Sequence, residues 1–369
     1  MMSPRLQSSS RTAIQFLFQE FPQSLEHLYC SDMAIPEDVV HCPSLTTITV
    51  GNNCLNRQNM ETTLQVLCEI AHLTSLSFVS CFQQRIPMVH IPSMDSPDDE
   101  AFTLSDVQTI TFAYITIEDA SRILSSLVLP RLISVTFTNI GMLHRPGRDA
   151  IEDICDPDLQ RVIDQGIFLQ LSWDEQDLVY HFRALLFDGH CPTWREVDTG
   201  SLKASFKFFE CDNSADDPNP DPVMPKFPHP LLNFFDTLAQ FSFENVQVLN
   251  VIAPETFPFS HLPGLATEVL FNMCSSVTTL HLHNLNGTEI WERLAYVEEW
   301  GEFLYLCPSL TAMTLNCCEG NGLSLEQLLA VRKGMGHGLR YCEFRDLELS
   351  PVGFDLDLLV EYVDELKVF

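Results

Sequence analysis

The chain has 369 residues, 46% of them hydrophobic, and its 50 acidic and 20 basic residues give a net charge of -30. This apolar content is sufficient for a large buried core and argues against wholesale disorder. The acidic charge argues against nucleic acids and anionic membranes as main partners, because both require clustered Lys and Arg, whereas it permits a basic partner.

Cysteine usage and the lack of long apolar segments indicate an intracellular protein. The 13 Cys residues form no Cys-x-x-Cys pair, which fits a reducing compartment better than a disulfide framework. The start, Met1 to Thr12, is polar, and no run approaches the roughly 18 apolar residues that a membrane span requires. The sequence therefore predicts a cytoplasmic or nuclear protein with no membrane partner.

Two stretches near opposite ends of the chain share one motif. Cys42–Asn53 and Cys307–Cys318 both begin Cys-Pro-Ser-Leu-Thr and then alternate apolar with small polar residues. Both fit the leucine-rich template L-x-x-L-x-L-x-x-N/C, in which alternate residues of a short strand point inward. The final Asn or Cys can hydrogen-bond the turning backbone inside the coil.

The template recurs along the chain, with apolar residues at positions p, p+3 and p+5 and an apolar residue or Asn at p+8. In chain order, p falls on Leu25, Leu45, Leu73, Val107, Leu132, Val246, Val277, Leu310 and Leu339. Two weaker candidates, Leu169–Leu171 and Phe206–Cys211, lie in the long interval between the registers at Leu132 and Val246. Counting both, the units are about 31 residues long, which leaves room for a helix in each.

Helical patterns follow many of these strands. They cover Met60–His72, Thr116–Leu127, Asp174–Phe187, Glu289–Leu306, Ser324–Val331 and Asp355–Leu366. Ser324 and Gln327 form a capping box that predicts a helix start. Strands alternating with helices predict an α/β leucine-rich-repeat solenoid, a horseshoe arc with parallel strands on the concave face and helices on the convex face.

The solenoid is expected to span residues 1–369 as a single domain with an irregular middle, 141–245. Within it, Gly141–Gly200 keeps the repeat only weakly and has a more helical pattern. Pro87–Ser105 and Asp212–Pro230 are rich in Pro and acidic residues, which predicts exposed, flexible loops. Ala13–Phe21 is too apolar for a free tail. We therefore predict an amphipathic helix there, which caps the first repeat beside the strand at Leu25.

The Cys-Pro-Ser-Leu openings, long units and acidic loops resemble the repeat region of the F-box/leucine-rich-repeat proteins abundant in mushroom-forming fungi. The resemblance covers nearly the whole chain. It implies that the repeats hold a protein, as they hold the substrate of a ubiquitin ligase in that family. The family's N-terminal F-box has no counterpart here beyond Ile35–Val40, which runs within five residues into the strand at Leu45. No ubiquitin-ligase docking residue is therefore carried over.

Motifs that carry chemistry are sparse. His281 and His283 lie on the same side of one strand, but a third metal ligand at suitable spacing is missing, so two exposed histidines are the favoured interpretation. Cys317–Cys318 is a vicinal pair for which repeat packing is favoured over a strained disulfide. Gly334–Gly338 follows a helix and is interpreted as a helix stop, not a phosphate loop. The sequence predicts no catalytic residue, cofactor or metal.

The predicted binding surface consists of the outward positions p+2, p+4 and p+6. In the N-terminal half these are small: Thr47, Thr49, Gly51, Ser75, Ser77, Val79, Thr109, Thr111, Ala113, Ser134, Thr136 and Thr138. In the C-terminal half they are larger: Thr279, His281, His283, Ala312, Thr314, Asn316, Tyr341, Glu343 and Arg345. Tyr and Arg often dominate binding energy. We therefore predict a protein partner around His281, His283, Tyr341, Glu343 and Arg345, against the alternative of ordinary exposed strand residues.

Three functions remain open from the sequence. The first is a non-enzymatic recognition scaffold, the substrate-binding half of an F-box-like ubiquitin-ligase adaptor. The second is a stand-alone binding protein unrelated to ubiquitin. The third is an enzyme with its site in the irregular section 141–200, which would need a deep pocket lined by convergent polar groups. An F-box found upstream of Met1 in the transcript would separate the first two.

Overall fold

The computed structural model describes residues 24–31, 35–51, 60–80, 102–115, 117–141, 157–176, 179–188, 202–211, 234–235, 237–239, 241, 243–254, 260–262, 264–295, 297–299, 302–304, 306–351 and 354–369. The chain divides into two compact units, residues 1–141 with 156–159, and residues 142–155 with 160–369. The predicted helix at Ala13–Phe21 and the acidic loop Asp212–Pro230 lie outside the described residues, as does most of Pro87–Ser105.

The first unit is built on a parallel sheet. Its strands are β1 (His27–Ser31), β2 (Thr47–Gly51), β3 (Ser75–Val79), β4 (Phe102–Thr103), β5 (Thr109–Ala113), β6 (Leu127–Val128) and β7 (Ser134–Gly141). Strands β1, β2, β3, β5 and β7 pair in that order, all in parallel. Strands β4 and β6 form a separate parallel pair.

Short helices connect these strands. They are the 3-10 helix Glu37–His41, α1 (Met60–Cys68) and α2 (Ile117–Ser125), with α3 (Pro157–Ile163) following β7 in the chain. Helix α1 buries Leu64 and Leu67 completely. It ends at Cys68, four residues before the predicted end at His72.

The predicted inward ladder is confirmed in the first unit. The p+3 residues Ile48, Leu76, Ile110 and Val135 lie side by side on neighbouring strands and are almost fully buried, while Leu28 on the first strand is half-buried. At p+5, Phe78, Phe112 and Phe137 stack with ring centroids 5.6 and 5.4 Å apart. Each such ring pair adds about 1 kcal/mol beyond the burial of its apolar area.

The second unit contains 14 strands among its described residues. They are β8 (Phe168–Gln176), β9 (Val179–Phe187), β10 (Leu202–Cys211), β11 (Val248–Ile252), β12 (Ser260–His261), β13 (Thr279–His283), β14 (Leu285–Asn286), β15 (Val297–Glu299), β16 (Glu302–Leu304), β17 (Ala312–Asn316), β18 (Glu319–Asn321), β19 (Tyr341–Arg345), β20 (Glu348–Ser350) and β21 (Glu365–Val368). The main sheet has the order β10-β9-β8-β11-β13-β17-β19-β21.

From β8 through β11 to β21 the main sheet is parallel. Strands β12, β14, β18 and β20 form a smaller parallel sheet, and β15 pairs with β16 as an antiparallel hairpin. The helices are α4 (Gly264–Met273), α5 (Thr288–Ala295), α6 (Gly322–Gly334) and the 3-10 helix Leu356–Tyr362. Both units are therefore mixed α/β with mostly parallel pairing, which confirms that part of the predicted fold class.

The ladder is also confirmed in the parallel part of the second unit. Leu249, Leu280, Met313 and Cys342 lie on successive strands with no exposed surface. The weaker candidate Leu169 pairs with Leu249 in the same row. Leu366 on β21, which the repeat pattern did not include, adds a half-buried rung next to Cys342.

The prediction of a helix over Asp174–Phe187 is wrong. Residues 174–176 end β8, and Val179–Phe187 form β9, which pairs antiparallel with both β8 and β10. In β9, Phe182 and Ala184 are buried while His181 and Arg183 are exposed, a period of two that suits a strand. The weak candidate Phe206–Cys211 lies on β10 and is therefore antiparallel too.

Three other predicted helices differ in extent. Helix α5 ends at Ala295, and the rest of Glu289–Leu306 contains the β15–β16 hairpin. Asp355–Leu366 is a 3-10 helix followed by the start of β21, because Glu365 and Leu366 pair with β19. Helix α6 begins at Gly322, capped by the Asn321 side chain, which accepts a hydrogen bond from the Leu323 amide at 2.9 Å. Ser324 instead donates to Glu292 at 3.0 Å, so the predicted capping box does not form.

The residue directly after each of several parallel strands adopts a left-handed backbone. These residues are Ser80, Tyr114, Asn284, Cys317 and Asp346, with φ between 48° and 57°. Such a conformation costs roughly 1–2 kcal/mol for residues other than Gly. It directs the amides of Ser80, Tyr114, Asn284 and Cys317 toward the next strand. Asn284, for example, donates to the Asn316 carbonyl at 3.1 Å, and Cys317 to the Arg345 carbonyl at 2.9 Å.

The Cys-Pro-Ser-Leu turn of the second unit is held by a fully buried Arg332. Its guanidinium donates to the carbonyl oxygens of Leu294 and Leu306 at 3.2 Å and of Cys307 at 2.9 Å. A buried Arg is tolerated because these carbonyls would otherwise lack partners. Sequence patterns gave no sign of this role. Among the described residues, no helix combines the length and apolarity needed to cross a membrane.

Candidate functional site

The predicted partner-binding residues lie on one face of the second unit's sheet, opposite the buried ladder; we call it the open face. Parallel pairing puts His281 next to Thr314, Thr314 next to Glu343, and Glu343 next to Lys367. His281 and Glu343 are therefore two strands apart, a separation of about 9–10 Å along the sheet. The structure brings Tyr341, Glu343 and Arg345 together but leaves the histidines at a distance from them.

Tyr341, Glu343 and Arg345 form a connected group on β19. The Tyr341 hydroxyl donates a hydrogen bond to Oε2 of Glu343, and Nε of Arg345 donates to Oε1 of the same carboxylate. The hydrogen bond from Tyr341, reinforced by Arg345, lowers the pKa of Glu343. Burial and the same hydrogen bond raise the pKa of Tyr341. At neutral pH the group is therefore a phenol and a guanidinium that share one carboxylate.

Strand β21 adds two side chains to this group. The Lys367 ammonium lies 5.1 Å from the centroid of the Tyr341 ring, and the Arg345 guanidinium carbon lies 5.2 Å from the centroid of Phe369. Both distances are typical of cation–π contacts. We name the five residues Tyr341, Glu343, Arg345, Lys367 and Phe369 the terminal cluster. Lys367 and Phe369 were missed because the predicted helix Asp355–Leu366 took in the start of their strand, although Glu-Leu-Lys-Val alternates like a strand.

The two histidines differ from the favoured interpretation of a pair of exposed side chains. His283 is only 5% exposed, and its Nδ1 accepts from the Asn316 side-chain amide at 3.1 Å. Burial, followed by the neighbouring His281, lowers the pKa of His283 to about 4. Burial also lowers the pKa of the half-buried His281, against the opposing effect of Glu343. Both imidazoles are therefore neutral at pH 7, and His281 is the more accessible.

The two remaining motifs of the sequence were a possible metal site and a possible phosphate loop. Within it, no group of three or more His, Cys, Asp or Glu residues is placed to hold a metal ion. The interpretation of Gly334–Gly338 as a helix stop is confirmed: α6 ends at Gly334, Gly336 has φ +82°, and the His337 amide donates to the Arg332 carbonyl at 2.8 Å.

The vicinal cysteines have the two roles that the repeat predicts. Cys318 is fully buried, and its thiol donates to the Leu282 carbonyl at 3.4 Å, as expected for the last template position. Burial raises the pKa of Cys318 to about 11, so the thiol is protonated. Cys317 lies in the left-handed turn after β17.

The N-terminal half of the predicted surface is a ladder of hydroxyl groups in the first unit. Thr47, Ser75, Thr109 and Ser134 lie side by side, with Thr49, Ser77, Thr111 and Thr136 as a second row. The Thr109 hydroxyl donates to Ser75 at 2.9 Å, so part of this bonding capacity is satisfied internally. Small side chains of this kind offer little area to a partner.

A cavity of about 140 Å³ lies in the first unit between the residues after α1 and the turn before β5. Its lining includes Leu67, Cys68, Leu104 and Asp106. Asp106 is paired with Arg131 at 2.6 Å, and burial raises the pKa of the Cys68 thiol. This cavity therefore holds neither an acid–base pair nor an activated nucleophile, and it lies outside the section 141–200 in which an enzymatic site was considered.

No protein-family model matches the chain, and no curated protein matches it.

Proposed function

We propose that the protein is a non-enzymatic recognition scaffold whose repeats form a leucine-rich-repeat solenoid. In this proposal the parallel strands line the concave face, the helices lie on the convex face, and a protein partner binds around His281, His283, Tyr341, Glu343 and Arg345. Support comes from the repeated strand register and from the repeated turn at Asn284, Cys317 and Asp346, which keep outward positions aligned from unit to unit.

The observation that carries the proposal is the terminal cluster. An Arg and a Tyr side chain usually lose conformational entropy when they bind, at a cost of about 0.5–1.5 kcal/mol each. Here Glu343 holds both side chains by hydrogen bonds, while Phe369 and Lys367 pack over them. Much of this loss of side-chain entropy therefore occurs when the protein folds, before a partner binds. Tyr and Arg in a preorganised setting are the residues that most often dominate protein interfaces.

His281 and His283 contribute in different ways. Half-buried His281 contacts the partner, whereas buried His283 positions the strand through its hydrogen bond with Asn316. The protein acts in the cytoplasm or nucleus as the substrate-binding half of an F-box-like ubiquitin-ligase adaptor. That role rests on the sequence resemblance and requires an F-box encoded upstream. A stand-alone scaffold unrelated to ubiquitin is the alternative if none is encoded there.

For the test, the full chain is used as bait in an affinity purification. A partner recovered in this way is then purified by itself so that its affinity can be measured. Replacing Tyr341 and Arg345 together with Ala is expected to weaken its binding by 2 kcal/mol or more, roughly thirtyfold. The matched control replaces Thr47 and Thr49 with Ala and is expected to change the affinity little. If the control loses binding and the Tyr341/Arg345 variant does not, the binding surface has been assigned to the wrong half of the chain.

A further inference from the structure

The sheet of the second unit ends on a strand with an open edge. In the part of the chain that the structure describes, β21 has a single strand neighbour, β19. The amides of Glu365 and Phe369 donate to the Arg340 and Phe344 carbonyls, each at 2.9 Å. Because backbone groups alternate in direction along a strand, the amide and carbonyl of Leu366 and Val368 point away from β19. That edge can bind a further strand.

The same end of the unit exposes apolar surface. Val368 is 51% and Phe369 70% exposed, and the 3-10 helix packed against β21 exposes Leu358 and Val360 at 48% and 56%. Exposed apolar surface of this kind promotes association. An unpaired edge next to apolar side chains is the surface that pairs with another chain.

We propose that this edge binds a second copy of the chain, through antiparallel pairing of the two β21 strands about a twofold axis. A twofold interface brings the same patch of both copies together, so the patch must complement itself. Strand β21 meets this requirement because Glu365 and Lys367 project on the same side, two residues apart, with opposite charges. Between them lies Leu366, whose outward backbone groups are free to exchange hydrogen bonds with their symmetry equivalents.

Charge selects one register. With Leu366 opposite Leu366 of the second copy, Glu365 lies opposite Lys367 of the second copy, twice. Moving the axis to Lys367 would place two ammonium groups opposite each other, and moving it to Glu365 would do the same with two carboxylates. Opposite charges across neighbouring strands stabilise pairing, and like charges oppose it.

The ion pair that Glu365 and Lys367 form within one chain does not prevent them from pairing with a second copy. Lys367 and Glu365 form an intrachain ion pair at 3.1 Å, with side chains 46% and 58% exposed. Exposed pairs of this kind contribute little to stability, so they can reorganise when a second strand arrives.

Sedimentation velocity of the full chain over a range of concentrations tests the proposal. The wild type is expected to convert from 41.9 kDa to twice that mass as concentration rises. Lys367→Glu and Glu365→Lys each create two like-charge pairs across the axis and are expected to weaken the dimer by roughly tenfold or more. Mixing the two variants, or combining both changes in one chain, pairs opposite charges again and is expected to restore the dimer.

Two further variants separate edge pairing from other effects. Val368→Pro removes an amide that points away from β19, so it is expected to weaken dimerisation while circular dichroism and the melting temperature stay close to wild type. Glu348→Lys reverses an exposed charge on β20 and is expected to leave the dimer unchanged. A wild type that stays monomeric at every concentration, a dimer that persists in both single charge variants, or a mixture that fails to associate would overturn the proposal.

Discussion

At the scale of single residues, the second unit buries two ionisable side chains, one of them charged and the other neutral. The Arg332 guanidinium is tolerated in the interior because it donates hydrogen bonds to four backbone carbonyls. His283 is neutral, because burial lowers its pKa and its Nδ1 accepts a hydrogen bond from the Asn316 side-chain amide. Protonating His283 would remove that acceptor and bury a charge. Folding and protonation of this histidine are therefore coupled.

The coupling predicts a pH dependence of stability. The pKa of His283 falls from an ordinary value of 6.5 to about 4 in the folded state, so between these values the unfolded chain binds more protons. The stabilising effect of the neutral imidazole is thus fully present above pH 6.5 and is lost as the pH falls toward 4. We expect the free energy of unfolding, measured in urea, to fall by about 3 kcal/mol across this window from His283.

Replacing His283 with Gln should flatten that part of the pH profile, since Gln does not titrate. The matched control is His27→Gln on β1, an exposed histidine, which should leave the slope unchanged. An unaltered slope in His283→Gln would show that other groups cause the dependence.

At the scale of elements, α5 is positioned by a tryptophan that fits between two glycines. Trp291 is fully buried. A Cβ added at Gly287 would lie 2.3 Å from its ring, and one added at Gly320 would lie 2.5 Å from it. The Gly287 carbonyl also accepts the Trp291 amide at 2.8 Å, which begins the helix. These glycines are needed for close approach of the backbone to the indole.

Gly287→Ala is therefore expected to lower the free energy of unfolding by about 1–3 kcal/mol, the usual cost of overpacking a core. Combining it with Trp291→Leu, which makes room for the new methyl group, should cost less than the sum of the two single changes. Gly334→Ala is the control: its Cβ would meet nothing within 4 Å, and Ala favours a helix, so a small gain is expected. Additive losses for Gly287 and Trp291 in thermal unfolding would contradict the contact.

At the scale of the whole molecule, each unit is held together by a row of inward side chains contributed by successive strands. In the second unit Leu280 lies between Leu249 and Met313, with no surface exposed. Each side chain in the row packs against the side chains of the two neighbouring strands. The effect of one substitution therefore extends beyond its own strand.

Leu280→Asp should cost about 4 kcal/mol or more, because it places an unpaired carboxylate in this apolar row. Thr279→Asp, one residue earlier and on the open face, should cost about 1 kcal/mol or less, because the new charge reaches solvent. Urea denaturation of both variants measures the difference. Equal costs would mean that the two faces of β13 have been assigned wrongly.

The candidate site was only partly predictable. Tyr341, Glu343 and Arg345 follow from the repeat, since positions p+2, p+4 and p+6 alternate with the buried ladder. Lys367 and Phe369 do not, because Glu365 and Leu366, which begin their strand, also continue the helical pattern from Asp355, and pairing with β19 decides between helix and strand. The burial of His283 likewise depends on what packs over its strand, which no local pattern records.

The sequence by itself determined the repeat: its Leu and Phe residues at fixed spacing predict parallel strands, their register and the inward ladder, because a one-residue slip would turn every apolar side chain outward. The tertiary structure alone decided the antiparallel strands β9 and β10, the strand β21 and the internal arginine Arg332. In each case the backbone amides and carbonyls of a short segment could form their hydrogen bonds in more than one conformation. The neighbour that offered unpaired amides, carbonyls and apolar surface selected the conformation.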